Sequence, residues 1–325
     1  MHILGISTLG QDAAVALTDD HSVLFAIEEE KLSREESSQV PRLALERCLL
    51  ENHLRLPDCR AIVLAERSAS SAHSRHRRKR PARSASQQQL QTLLRGGPRP
   101  AHFDHHLCHA ASAYYTSGYD RALILSLDEG ANSRSGLIAL GDGDEIRPLQ
   151  TLKFPDSLGW FYSRVTELSG LRLHKDEHKL QWLSKDGEPE YLPAFRKLFS
   201  WKGNGLPALN RRYFAPGPDH RGIFAPQFYR ELGLSSRGPS PDPVVRANLA
   251  RSAQDYLEEL VLQLAANFQD QAGAQSLCLA GGIFLNVLLV RALETRGIYD
   301  QVYVQPVSGN AGTALGAAYL SRKKI

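Results

Sequence analysis

The sequence predicts an α/β protein made of two lobes of the same plan facing each other across a cleft. Two blocks, 2–28 and 121–152, each open with three short apolar segments separated by turn-sized gaps. Each block then continues as alternating helices and strands, the pattern that layers helices on a sheet. Polar or glycine-rich turns close several strands, at Asp128, Gly281-Gly282 and Gly309-Asn310, and facing strand ends are the usual place for a ligand.

Segments 2–7, 13–19 and 22–28 read as three antiparallel strands. Residues 41–53 have helical spacing, with Leu43, Leu45, Cys48, Leu49 and Leu50 apolar. Residues 60–64 read as a strand, 86–94 as a Gln-rich helix, 99–103 as a short strand and 105–118 as a helix. The second block repeats the order, with strands at 121–127, 136–141 and 145–152. A long helix follows at 243–268, opened by the cap and first-turn pair Asp242-Pro243. Then come a strand at 276–280, a helix at 284–296, a strand at 300–305 and a helix at 310–321. The expected lobes are 1–118 and 119–325, the second carrying an insertion around 171–242. Within it, 200–242, rich in Gly, Pro, Arg and Ser, reads as a long loop.

The 325 residues hold 39 Lys and Arg against 35 Asp and Glu, a formal net charge of +4. Seven of those cations lie in 67–83, so the remainder is slightly acidic, with 32 basic against 35 acidic residues. The run is a solvated loop or a contact for RNA or an acidic partner. It has no aromatic residue for base stacking, and nucleic acid is not an expected partner. The four cysteines are scattered and form no CxxC pair, which suits reduced thiols. MHILGISTLG lacks a charged segment followed by a long apolar one, and no run of about 18 apolar residues exists. A cytoplasmic protein without a membrane span is the expectation.

Four stretches carry chemistry. In Asp104-His105-His106-Leu107-Cys108-His109, His105 and His109 share one helical face and can point at one ion. Two histidines and a carboxylate form a known mononuclear metal set, and surface histidines of a first turn are the plain alternative. Asp128 ends an apolar strand and is either a cleft carboxylate or a turn residue. Gly281-Gly282 lets a flat ligand or phosphate approach the backbone before a helix, or simply makes a tight turn. Asn310 sits in a polar turn before a helix of small residues, where it also suits a cap. Walker A, HExxH, GxSxG and complete GxGxxG motifs are absent, which weighs against P-loop NTPases, zincins, α/β-hydrolases and dinucleotide-binding oxidoreductases.

Together, LGISTLGQDAAVAL (4–17), IEEEKLSR (27–34), DHHLCHAASAYYTSGYDRALILSLD (104–128), SLGWFYSRVTELSG (157–170), ANLARSAQDYLEELVLQLA (247–265), LCLAGGIFLN (277–286) and VYVQPVSGNAGTALGAAYL (302–320) resemble the N-terminal domain of the NodU/CmcH family of O-carbamoyltransferases. That domain looks like the tRNA threonylcarbamoyl-transferring ATPase-fold proteins. The resemblance implies duplicated actin/hexokinase-like (ribonuclease H-like) lobes around a nucleotide cleft. It implies a carbamoyl group passed from carbamoyl-adenylate to the hydroxyl of a small molecule. His105, His109 and Asp128 would hold a divalent metal, Fe(II) or similar. Lys179, Gly281, Gly282, Asn286, Gly309 and Asn310 would bind the nucleotide, carbamoyl-adenylate or ATP. Asp12 and Asp128 would be catalytic, and Glu177 with Lys179 matches the family's GExK element.

The chain departs from that pattern at several points. Gln11 stands where the family has His, and Gln does not titrate. Asn310 stands where it has Asp, Glu36 where it has Lys, and Lys179-Leu180-Gln181-Trp182-Leu183-Ser184 replaces KVMGLA. Asp128-Glu129-Gly130-Ala131-Asn132 replaces DGxGE. No stretch matches a YrdC-like domain, so the resemblance implies that a separate YrdC-like subunit makes the adenylate. A homo-oligomer is a further expectation. The departures leave a second reading, a non-catalytic nucleotide-binding or regulatory relative, and fold analogy leaves a third, an ATP-dependent kinase or ATPase.

Overall fold

The first half begins with a meander of β1 (Ile3–Ser7), β2 (Ala14–Thr18) and β3 (Val23–Glu28). The short helix α1 (Glu29–Ser33) and α2 (Arg42–Glu51) follow, then β4 (Ala61–Glu66), α3 (Ala85–Leu93), β5 (Ala101–Asp104) and α4 (His105–Ser117). The sheet order is β3-β2-β1-β4-β5, with β4 parallel to both β1 and β5. Every residue of β1 and β2 is buried, as continuous apolar runs in a sheet covered on both faces should be. This computed structural model describes residues 1–8, 12–35, 39–66, 84–130, 134–217, 222–235 and 242–324. The basic run 67–83, Gln11, Glu36 and Ala131-Asn132 lie outside the described residues.

The second half repeats the order with β6 (Arg121–Leu127), β7 (Arg134–Asp142) and β8 (Glu145–Lys153). After α5 (Leu158–Leu168), α6 (Glu177–Leu183) and α7 (Leu192–Phe195) come two small antiparallel ladders. These are β9 (Phe199–Trp201) with β10 (Pro207–Leu209), and β11 (Phe214–Ala215) with β12 (Ile223–Phe224). Then follow α8 (Pro226–Leu232), α9 (Pro243–Ala272), β13 (Ser276–Ala280), α10 (Val287–Thr295), β14 (Gln301–Val304) and α11 (Gly312–Lys324). This sheet runs β14-β13-β6-β7-β8, so each half places its meander beside two parallel strands in the same sequence. The duplicated lobe plan expected from the sequence is the plan of the fold.

Three expectations are corrected. The described residues of 200–242 are not a plain loop, because Tyr213, Phe224 and Phe228 are buried in the main core. Gly222 in this stretch accepts a hydrogen bond from Trp160 Nε1 at 3.1 Å. Aromatic anchors interspersed with Gly and Pro supply the buried area that composition alone conceals. The helix expected from 284 starts at Val287, because Asn286 caps it by accepting from Leu289 N at 3.0 Å, and Gly282–Leu285 is a 3₁₀ turn. The last helix starts at Gly312 rather than 310, after a turn in which Gly309 and Asn310 carbonyls accept from Gly312 and Thr313.

The two long interior helices cross between the lobes. α4 ends the first half, yet Ala110, Ala113 and Tyr114 pack on Ala122 and Ile124 of β6 and Cys278 of β13. α11 ends the second half, yet Ala311 and Ala314 pack on Ala14 and Ala16 of β2. The helices meet through Cys108, Ala111, Ala317 and Ala318. Gly316 makes that approach possible, since a Cβ there would lie 1.8 Å from the Cys108 carbonyl oxygen. Among the described residues no helix is long and apolar enough to cross a membrane.

Candidate metal centre

The centre begins at the first turn of α4. Asp104 caps the helix by accepting from Leu107 N at 3.1 Å, which starts the helix at His105. His105 and His109 then stand one turn apart on the same face, their ring centroids 4.5 Å apart. Both are buried, His109 with no exposed surface.

Asp128 follows the last residue of β6 and is pinned from several sides. Its backbone N–H donates to Ser135 O at 3.0 Å, and its Oδ1 accepts from Glu129 N at 2.7 Å. Ser157, the cap of α5, donates to Glu129 O at 2.6 Å and accepts from Trp160 N at 3.0 Å. Asp128 Oδ2 lies 3.2 Å from His105 Nε2 and 3.9 Å from His109 Nε2.

One ligand atom from each of His105, His109 and Asp128 falls within 4.8 Å of the others. Ligands bound to one ion at about 2.1 Å sit roughly 3–4 Å apart, so small side-chain adjustments close the set. Both ring nitrogens of His109 and Nδ1 of His105 are buried without a hydrogen-bond partner. Buried polar atoms left in this way are costly, and a cation gives lone pairs a partner. Burial and the neighbouring His105 hold the His109 imidazole well below its ordinary pKa, so it stays neutral and able to ligate. Burial pushes the Asp128 carboxyl up, but the hydrogen bond from His105, with the other histidines close by, outweighs it and holds it well below the usual range. The residues fit a divalent cation.

The second lobe's turns close around this cluster. Gly281, at φ 103°, stands so close to Leu127 that a Cβ would meet its carbonyl oxygen at 2.0 Å. Its N–H donates to Ser308 O at 2.7 Å, tying the Gly281-Gly282 turn to the Gly309-Asn310 turn. A Cβ on Gly282 would come 3.2 Å from Asp128 Oδ1. Asn310 stands beside His109 and donates through Nδ2 to Asp12 Oδ2 at 3.1 Å. Burial, with Glu28, Asp128 and Glu30 nearby, pushes the Asp12 carboxyl up, and the hydrogen bond from Asn310 opposes this.

Two sequence-predicted residues sit elsewhere. Lys179 is half-exposed and pairs with Asp176 at 2.9 Å. Asn286 is buried in an amide pair with Gln254, donating to its Oε1 at 2.8 Å while capping α10. Tyr162 donates to the same Gln254 oxygen at 2.9 Å.

The structure adds residues that sequence reasoning missed. His106 is buried against Ser126 Oγ at 3.0 Å, and burial lowers its pKa to about 4. Ser7 and Thr313 both donate to the Asn310 carbonyl, at 3.1 and 2.5 Å. His174 Nδ1 pairs with Glu129 Oε2 at 2.8 Å beside Asp128. Serine at the end of β1 and threonine in the first turn of the small-residue helix α11 were the available signals; nothing local links 129 with 174.

Two facing α/β lobes of one plan, with a donor cluster between their strand-end turns, define an actin/hexokinase-like fold. Solved structures agree. Full-length HypF in a phosphate- and nucleotide-bound form superposes with a TM-score of 0.59 at 13% identity, covering 99% of this chain and 46% of that one. The activator of 2-hydroxyisocaproyl-CoA dehydratase from Clostridium difficile gives 0.54 at 11% identity, covering 100% and 95%. The chain belongs to the family described as Carbamoyltransferase N-terminus, which it matches over residues 85–319. Nodulation protein NolNO of Sinorhizobium fredii is 31% identical over 333 residues, 98% of this chain and 47% of that protein. An uncharacterized Synechocystis protein, sll1178, is 31% identical over 348 residues, 98% of this chain and 56% of its own length. The chain thus spans about half the length of the curated relatives it matches.

Proposed function

We propose that this chain is the transfer half of an O-carbamoyltransferase, passing a carbamoyl group from carbamoyl-adenylate to a hydroxyl of a small molecule. The observation that carries the reading is the His105, His109 and Asp128 cluster, with buried unpartnered ring nitrogens, in a chain of the carbamoyltransferase family. A divalent cation held there, Fe(II) or similar, would supply Lewis-acid stabilisation of phosphate charge as AMP departs. The protein's own part is orientation and desolvation. Asp128, fixed by Glu129 N and braced through Ser157, presents one oxygen to the histidines. The Gly281-Gly282 turn brings backbone close to the other oxygen, Oδ1, and is tied through Ser308 to the Gly309-Asn310 turn; glycine turns before helices suit a nucleotide phosphate. A separate YrdC-like protein that makes the adenylate belongs to the same proposal, as does a cytoplasmic setting.

The test is to combine the purified chain with a YrdC-like protein, carbamoyl phosphate, ATP and a panel of small hydroxyl acceptors, and to follow carbamoylated product by mass spectrometry. Product that disappears in His105→Ala and His109→Ala supports the proposal. Nucleotide binding without product across the panel supports the second reading, a regulatory relative. The neutral Asn310, hydrogen-bonded to Asp12, is the observation that favours that alternative.

A further inference from the structure

His174 stands in a backbone conformation that side chains rarely adopt, at φ 62°. Arg34 and His53, the other described non-glycine residues at positive φ, follow the ends of α1 and α2. His174 instead precedes a helix, α6, and is pinned in place. Its N–H donates to Glu177 Oε1 at 2.7 Å, and its ring Nδ1 reaches Glu129 Oε2 at 2.8 Å. The loop around it is fixed as well. Leu171 N donates to Thr166 O at 3.1 Å, and Asp176 Oδ2 accepts from Arg172 N at 3.0 Å. Glu129 has equally little latitude. Its N–H donates to Asp128 Oδ1, Ser157 donates to its carbonyl, and Gly159 packs so closely that a Cβ would lie 2.5 Å from Glu129 N. Strain held by this many contacts points to a use. The imidazole is thus paired with the residue next to Asp128, and 30% of its side chain stays open to solvent.

We infer that His174, oriented by Glu129, is the general base of the transfer and takes the proton of the acceptor hydroxyl. The inference rests on the transfer reading proposed above. An ionised carboxylate only accepts hydrogen bonds, so Nδ1 carries the imidazole proton and the basic lone pair lies on Nε2. In the step, the acceptor oxygen bonds to the carbamoyl carbon and its proton passes to Nε2. The bond from that carbon to the phosphate oxygen breaks, and AMP leaves with the electron pair. Glu129 steadies the imidazolium that results. The same pair sits where the sequence departs from its family. Glu129 belongs to the stretch that replaces DGxGE, and Gln11 stands where the family has His. An imidazole at 174 supplies the proton acceptor that Gln11 cannot.

The assay combines the purified chain with a YrdC-like protein, carbamoyl phosphate and ATP, and compares two kinds of acceptor. One is a panel of small hydroxyl compounds. The other is hydroxylamine, whose nitrogen attacks without first losing a proton. His174→Asn tolerates the left-handed backbone and can still donate to Glu129, but it does not titrate. It should lower kcat toward the hydroxyl that wild type carbamoylates by about 100- to 10,000-fold. The hydroxylamine reaction should stay unchanged. Added imidazole should restore transfer to the hydroxyl in His174→Gly, which keeps the backbone and leaves room for the ring. If His174→Asn does not fold, this rescue carries the test. Full hydroxyl transfer by His174→Asn, an equal loss with both kinds of acceptor, or a His174→Gly variant that imidazole does not revive would overturn the base assignment and leave the transfer reading intact. A wild-type chain that gives no product with the panel or with hydroxylamine would overturn the transfer reading and this inference with it.

Discussion

Replacing Gly316 by alanine should destabilise the protein, although helix propensity argues for the opposite sign. In an ordinary helix the change is worth about 1 kcal/mol of added stability. Here the new Cβ would meet Cys108 O at 1.8 Å, Cys108 C at 2.6 Å and Ser112 N at 3.0 Å. All three are backbone atoms of α4, so no side chain can swing aside. The helices must part by roughly 1 Å, a gap that forfeits a quarter to a half of each dispersion contact along the seam. Overpacking of this kind costs about 1–3 kcal/mol, and the rigid partner places this site at the upper end. After the propensity gain, a net loss of about 1–2 kcal/mol is expected. Urea unfolding followed by far-UV circular dichroism reads it directly as a lower midpoint. An unchanged or raised midpoint in Gly316→Ala would refute the close crossing of α4 and α11.

Further predictions concern other parts of the molecule. Glu29 caps α2 from a distance, its carboxylate accepting from Leu43 N at 3.0 Å and Ala44 N at 2.8 Å, so Glu29→Ala should cost about 2 kcal/mol in urea unfolding. Asn286→Ala should cost about 2 kcal/mol by the same assay, because it removes the cap of α10 and strands the buried Gln254 amide. All four cysteines are buried, and burial pushes the Cys48 and Cys278 thiols up to about 12. A disulfide reagent at pH 8 should therefore label none of the four in the native protein and all of them in urea. A thiol whose folded pKa lies above its unfolded value stabilises the fold below the unfolded pKa. That contribution, complete at neutral pH, should decline as pH climbs from 9 toward 12 in a pH series of melting temperatures. Stripping metal with a chelator should lower the melting temperature of wild type and leave His109→Ala unmoved.

Much of the architecture was legible because its signals are local. The apolar segments at 2–7, 13–19 and 22–28, and again from 121 to 152, are short strands punctuated by turns, and period and punctuation need no tertiary information. The His105 and His109 pair was legible for the same reason, since i and i+4 share a face on any helix. What stayed hidden depends on distant partners. Nothing in EEEKLSR tells which acid is exposed, yet Glu29 alone turns inward to the start of α2. The Gln254-Asn286 pair joins residues 32 apart, and Asp12 meets Asn310 across 298. The stretch 200–242 misled because it is rich in Gly and Pro, while a few aromatics carry its buried packing.

The crossing of α4 and α11 has a mechanical consequence. Because each half of the chain ends in a helix seated on the opposite sheet, α4 and α11 form a packed seam that ties the two lobes together. A widening of the cleft that slid these helices past one another would be a shear motion. The close contact at Gly316 is where such sliding would bear. His105 and His109 ride on one helix, and Asn310 leads into the other. A slide of that kind would therefore also change how Asn310 stands against the two histidines.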